Sequence, residues 1–236
     1  MIGLSIIVPC YNEASRSNFE ERIDILKEYI NSLPILSEII FVTDGCTDNT
    51  VDIIRGKGFR PISYRKNKGK GYAVKYAIKY CNFDSILIMD ADLSVGLENI
   101  ELFYNQCSQG NMIIGTRVYN KSKRSKIRRF ISFCSNICVH KLIGVSVKDS
   151  QCGFKMFNIQ DYNKISKYLR SNRWLLDMEL LLYQKSQGVN IIEIPVDWKN
   201  DPDSTLKGKE AIKSSLRELI IILKERKANV KEIKDL

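Results

Sequence analysis

The chain of 236 residues is long enough for one sizeable α/β domain and too short for two full-sized ones. Its 44% hydrophobic and 27% charged content is that of a packed globular protein and excludes a disordered chain. The net charge of +10 calls for an acidic partner (nucleotide, nucleic acid or anionic lipid), and no run approaches the ~18 apolar residues of a membrane span.

Apolar runs rich in Ile and Val at Ser5–Val8, Ile39–Thr43, Pro61–Tyr64, Ile86–Asp90 and Met112–Gly115 predict buried strands. Between them, Phe19/Ile23/Leu26/Ile30, Val51/Ile54 and Ala73/Ala77 recur at helical spacing. This alternation predicts an α/β fold: a Rossmann-like, mostly parallel central sheet with helices on both faces. Further on, Ile127, Phe130, Ile131, Cys134, Ile137, Cys138 and Leu142 trace one face of a helix. A strand is expected at Gly153–Phe157, a helix near Asp177–Gln187 and a strand at Ile191–Trp198. The tail, residues 206–236, is basic and reads as one amphipathic helix or a pair over Lys209–Lys231. No repeat, linker or boundary divides the chain, so a single domain over 1–236 is expected. The first strand begins almost at once, without a basic leader, so no secretory signal is expected. Seven scattered cysteines without a CxxC pair fit neither a disulfide framework nor a zinc site and point to a reducing, cytoplasmic setting.

Open parallel sheets bind ligands beyond the carboxyl ends of their strands. There the chain carries Pro9-Cys10-Tyr11-Asn12-Glu13, then Thr43-Asp44-Gly45-Cys46-Thr47-Asp48, then Asp90-Ala91-Asp92. Two carboxylates one residue apart at a strand terminus can grip a hard divalent cation beside a phosphate. The stretch Lys66–Gly71 lacks the spacing and the final Lys-Ser/Thr of a P-loop, which excludes an ATPase of that kind.

These motifs, with Asn67-Lys68-Gly69-Lys70-Gly71 between them, resemble family 2 glycosyltransferases of GT-A fold, and the resemblance covers nearly the whole chain. Gly115-Thr116-Arg117, Asp149-Ser150-Gln151-Cys152-Gly153-Phe154-Lys155 and Arg173-Trp174-x-x-Asp177-x-Glu179-Leu180-Leu181 are most similar to the dolichyl-phosphate β-glucosyltransferase branch, with the dolichyl-phosphate mannose synthases as near relatives. Thr43 stands where the family usually has the first acid of Asp-Asp-Gly, and Ser94 where mannose synthases often have Gln.

The resemblance implies that Pro9, Tyr11, Asn12 and Glu13 line the nucleotide pocket and that Asp44 accepts a hydrogen bond from the base. Lys68, Gly69 and Ala91 would lie by the nucleotide-sugar, Asp90 near ribose and metal, and Asp92 on the metal, Mg²⁺ or Mn²⁺. Arg117 would face an acceptor phosphate, with Arg128, Arg129 and Gln151 on the same side, and Asp177 and Glu179 would begin the helix under the sugar. Asp177 stays open between a base or sugar contact and a helix N-terminal acid held by the helix dipole.

Residues 117–148 carry nine Lys/Arg and no acid, overlying an apolar stripe. That is the pattern of a helix in a membrane interface, so peripheral contact with the cytosolic face of a membrane is expected. With little aromatic interleaving and no recognisable motif, no nucleic acid partner is expected. The expected activity is metal-dependent, inverting hexose transfer, glucose from UDP in the favoured reading, to a polyprenyl or dolichyl phosphate. The alternatives are transfer to a sugar or glycan hydroxyl, and a binding module that holds a nucleotide-sugar without turnover.

Overall fold

The computed structural model describes residues 1–16, 18–118, 147–199 and 208–235, with the side chains of the last helix described from residue 217. The helix expected from Ile127 to Leu142, with Arg128 and Arg129, lies outside the described residues, as does most of the basic run.

Seven strands, β1 (Leu4–Cys10), β2 (Ser37–Asp44), β3 (Ile62–Tyr64), β4 (Ser85–Ile88), β5 (Met112–Val118), β6 (Lys155–Asn158) and β7 (Ile191–Asp197), form one sheet in the order β3-β2-β1-β4-β6-β5-β7. All neighbouring pairs are parallel except those of β6, which runs antiparallel to both β4 and β5. Side chains alternate across the sheet: Leu4, Ile6 and Val8 enter one apolar core and Ile7 the other. Helices α1 (Phe19–Ser32), α2 (Thr50–Gly56) and α4 (Asn99–Cys107) cover the first face, through Phe19, Ile23, Leu26, Ile54, Ile100 and Phe103. Helices α3 (Lys70–Ala77), α5 (Ile159–Ile165), α6 (Leu176–Ser186) and α7 (Gly208–Lys234) cover the second, through Val74, Ile165, Leu180, Leu181, Ile222 and Ile233. The α/β architecture expected from the alternation is therefore present, with helices on both faces.

Three boundaries move, each for a physical reason. Pro61 stays outside β3, consistent with a residue that has no N–H to donate to a ladder. Asp90 lies past the last paired residue of β4, although Met89 N still donates to Ile7 O at 3.1 Å, so the acids hang beyond the sheet. The strand expected from Gly153 begins at Lys155, because Gly153 lies against the Asp90 carboxylate instead of in the ladder. The tail is one helix of 27 residues, not two.

Candidate active site

The carboxyl ends of β1, β2 and β3 bring together Pro9, Tyr11, Asn12, Glu13, Asp44, Lys68 and Gly69. Asp44, 3% exposed, anchors this side. Its Oδ1 accepts from Tyr64 OH (2.8 Å) and Lys68 N (2.7 Å), and its Oδ2 from Asn67 Nδ2 (2.9 Å) and Gly69 N (2.8 Å). Four donors fill the usual acceptor capacity of a carboxylate. Asp44 thus shapes the loop from Asn67 to Gly69, and the base contact implied by the resemblance meets a carboxylate already engaged.

The same loop needs its glycines. Gly69 has φ +103°, and a Cβ there would lie 2.5 Å from Asn172 O, while one at Gly71 would lie 2.8 Å from Arg173 O. Across the gap, Asn12 (φ 53°) accepts from Thr47 N at 2.8 Å, and Thr50 Oγ1 accepts from Glu13 N (2.8 Å) and Ala14 N (3.1 Å). Thr43, in place of an acid, donates to Ser63 Oγ at 2.8 Å. Tyr11 is left 48% exposed at the mouth. Buried Glu13 pairs with Arg16 at 2.8 Å; burial and the nearby Asp92 and Asp90 nonetheless raise its pKa.

The centre of the site is the turn after β4. Lys70, at the start of α3, reaches Asp90 Oδ1 at 2.5 Å. Gly153 closes the other side, where a Cβ would overlap the Asp90 carboxylate. Asp92 Oδ1 accepts from Ser94 N at 3.0 Å, and Leu93 between them has φ 50°, an uncommon conformation of the kind found at functional turns. The charges oppose one another. Burial and Asp90 raise the Asp92 carboxyl. Lost hydration also pushes Asp90 up, but the Lys70 ammonium, with Lys155 and Arg117 further off, holds it below the carboxylate range. Lys70 is raised in turn, its burial being outweighed by Asp90 and Asp177.

This turn fits a divalent cation. The carboxylates of Asp90 and Asp92 are hard oxygen donors, and the buried Ser94 hydroxyl lies beside them. No cluster of three or more His, Cys, Asp or Glu occurs among the described residues, so the donor set suits an ion that completes its shell with substrate oxygens and water.

A narrow cleft lined by Asp90, Asp92, Ser94, Gly153 and Phe154 runs from this turn towards Arg117 and Trp198. Arg117, on β5, grips Asp149 with two hydrogen bonds, Nε to Oδ2 at 2.6 Å and Nη2 to Oδ1 at 2.8 Å, and its guanidinium lies 5.7 Å from the centre of the Trp198 ring. Although burial pushes the Asp149 carboxyl up, Arg117 holds it below its ordinary range. Below the cleft floor lies Lys155, 0% exposed, with Nζ 2.9 Å from Asp177 Oδ1 and donating to Cys152 O. Glu179, expected beneath the sugar, turns away: its carboxylate accepts from Arg170 N at 3.1 Å and Ser171 N at 2.7 Å and closes the loop before α6. Gln151 is partly buried, and its Nε2 has no partner.

The residues missed from the sequence are Lys70, Asp149 and Lys155. The available signal was a lysine inside the buried run Phe154-Lys155-Met156-Phe157, which requires a carboxylate partner elsewhere in the chain. Lys70, Arg117 and Lys155 therefore interleave with Asp90, Asp149 and Asp177 as three ion pairs.

A twisted sheet with an antiparallel strand near one edge, and paired acids beyond its central strand, defines a GT-A transferase. The same architecture is seen in glucosyl-3-phosphoglycerate synthase from Mycobacterium tuberculosis. Its complex with Mn²⁺ and UDP-glucose aligns at TM-score 0.70 and 13% identity over 94% of this chain and 79% of that one. Its UDP complex aligns at 0.66 and 14% identity, over 95% and 80%. The model of glycosyl transferase family 2 matches residues 5–174, and the chain belongs to that family and is a glycosyltransferase. The dolichyl-phosphate beta-glucosyltransferase of Saccharomyces cerevisiae is 30% identical over 251 residues, covering 94% of this chain and 74% of the yeast protein. The human protein of that name is 29% identical, covering 86% of this chain and 69% of its own length.

Proposed function

We propose that the chain transfers glucose from UDP-glucose to a dolichyl or other polyprenyl phosphate, with inversion at the anomeric carbon. The names of its relatives supply the sugar and the acceptor, and the neighbouring complexes suggest the uridine nucleotide and a divalent ion. The observation that carries the acceptor class is the ion pair between Lys155 and Asp177. A carboxylate held 2.9 Å from a fully buried ammonium makes a poor general base, and a hydroxyl acceptor needs one. A phosphate monoester does not, because it is already largely anionic at neutral pH.

In this reading Tyr11, Asn12 and the Asp44-shaped loop receive the nucleotide. Asp90 and Asp92 would hold Mg²⁺ or Mn²⁺, whose positive charge would be supplied next to the departing diphosphate. Arg117, fixed by Asp149 and close to Trp198, orients the acceptor phosphate. An acceptor oxygen bonds to the anomeric carbon as the bond to the diphosphate breaks, and the electron pair leaves with UDP. No proton need move.

An acceptor embedded in lipid requires the enzyme to work at a membrane surface. No helix among the described residues is long and apolar enough to cross one, so peripheral contact is part of the proposal. The purified protein is to be given UDP-, GDP- or dTDP-glucose with Mn²⁺ and either a short polyprenyl phosphate or an alkyl glycoside. The expected product is the glucosylated lipid phosphate, from UDP-glucose. Glucosylation of the glycoside with none of the phosphate would overturn the acceptor assignment.

A further inference from the structure

Helix α7 sorts its charges by direction. Among the side chains described from residue 217, Glu218, Glu225 and Glu232 lie along one flank seven residues apart, and each is bound to the body of the protein. Glu218 Oε1 accepts from Asn172 N (2.9 Å) and Arg173 N (3.0 Å), Glu225 pairs with Arg170 (2.8 Å), and Glu232 pairs with Lys167 (2.7 Å). Ile222 and Ile233, 1% and 2% exposed, face the core. The opposite side carries Arg217, Ile220, Ile221, Lys224, Lys227 and Lys231, all exposed. At 3.6 residues per turn these six fall within a stripe about 120° wide.

Two features of that stripe require a partner. Ile220 and Ile221 are 53% and 43% exposed and stand about 100° apart around the helix, towards the two sides of the cation row. The four cations make no ion pair among the described residues, and no acid shares their face between 217 and 231. Exposed aliphatic side chains interspersed with Lys and Arg match a surface that is anionic outside and apolar just beneath. Two copies of the chain would bring like charges together across this face. Single-stranded nucleic acid is gripped through aromatic platforms, and the stripe has none.

We propose that the outward face of α7 lies on an anionic lipid bilayer, with Ile220 and Ile221 inserted at the headgroup boundary and Arg217, Lys224, Lys227 and Lys231 on the anionic headgroups. This goes beyond the acceptor assignment and does not depend on it, since binding is read without donor or acceptor.

The test is flotation of the full chain with phosphatidylcholine vesicles, with and without 30% phosphatidylserine, in low and physiological salt. Binding is expected only to the anionic vesicles and should weaken with salt. Lys224→Gln/Lys227→Gln should lower partitioning about 30-fold, since each cation near such a surface contributes about a factor of five. Ile220→Ser/Ile221→Ser should lower it by a comparable factor, and neither variant should change the UDP-induced thermal shift that reports a folded donor site. If both variants partition like the wild type, or the wild type binds neutral vesicles equally, the assignment of α7 is overturned while the transfer reaction stands. Salt-sensitive binding of single-stranded RNA, abolished by the lysine pair alone, would overturn it in favour of nucleic acid.

Discussion

On the β1–β3 side of the cleft, Asp44 is fixed by four donors, two of them backbone N–H groups and none of them charged. On the β4–β6 side, Asp90, Asp149 and Asp177 are each fixed by a cation. Hydrogen bonds from uncharged donors are short-ranged and leave orphaned groups when broken, so they define a shape before any ligand arrives. Ion pairs can be exchanged for the charges of a ligand, because an arriving phosphate or cation takes the place of the partner that is given up. A transferase needs both: a fixed seat for the part of the donor that does not react, and exchangeable charge where bonds break.

The largest effect should come from breaking an ion pair on the second side. Lys155→Met leaves Asp177 buried without its cation and should cost about 3–5 kcal/mol in urea unfolding. Lys155→Met/Asp177→Leu should recover most of that loss, since replacing a whole buried pair by apolar groups is often neutral. Asp44→Ala comes next, at about 2–3 kcal/mol, because it strips charged-acceptor hydrogen bonds from Lys68 N and Gly69 N. Unlike the lysine variant, no single apolar replacement elsewhere should rescue it.

Gly153→Ala touches the seam between the two sides. Its methyl would displace the Asp90 carboxylate, and Mn²⁺ affinity in the presence of UDP, read by calorimetry, should fall about tenfold with little loss of stability. The smallest effect is in pH dependence. Arg117 holds Asp149 below the ordinary carboxylate range, so its contribution to stability is full above the unfolded value of about 3.9 and is lost as pH falls through the folded one. Burial raises Glu179, so that group takes up a proton in the fold first and opposes the loss. Asp149→Asn should therefore flatten the acid limb of urea midpoint against pH, and Glu179→Gln should steepen it.

The same contrast explains what could be read from the chain. Asp44 and its loop partners, like Asp90 and Asp92, stand in contiguous motifs at strand ends, and the apolar runs that place those ends are local. Lys70, Asp149 and Lys155 also stand within sequence motifs, but which opposite charge each one meets, 20, 32 and 22 residues away, is decided only by how the elements that carry them pack. Glu179 shows the converse: a motif position beside Asp177 on the sequence closes a loop instead of lining the cleft, because α6 turns it towards Arg170 and Ser171. The direction of β6 was also illegible, since an apolar run looks the same whichever way it is paired.

That reversed strand has a consequence for how such proteins diversify. Because β6 is antiparallel to β5, the chain leaves β5 at Val118 and enters β6 at Lys155 on the same edge of the sheet, the edge that holds Asp90 and Asp92. The intervening connection both starts and finishes there. An insertion or deletion within it leaves every strand register untouched. Changes in the length of that one connection can thus be absorbed without moving the strand ends that carry Asp90 and Asp92.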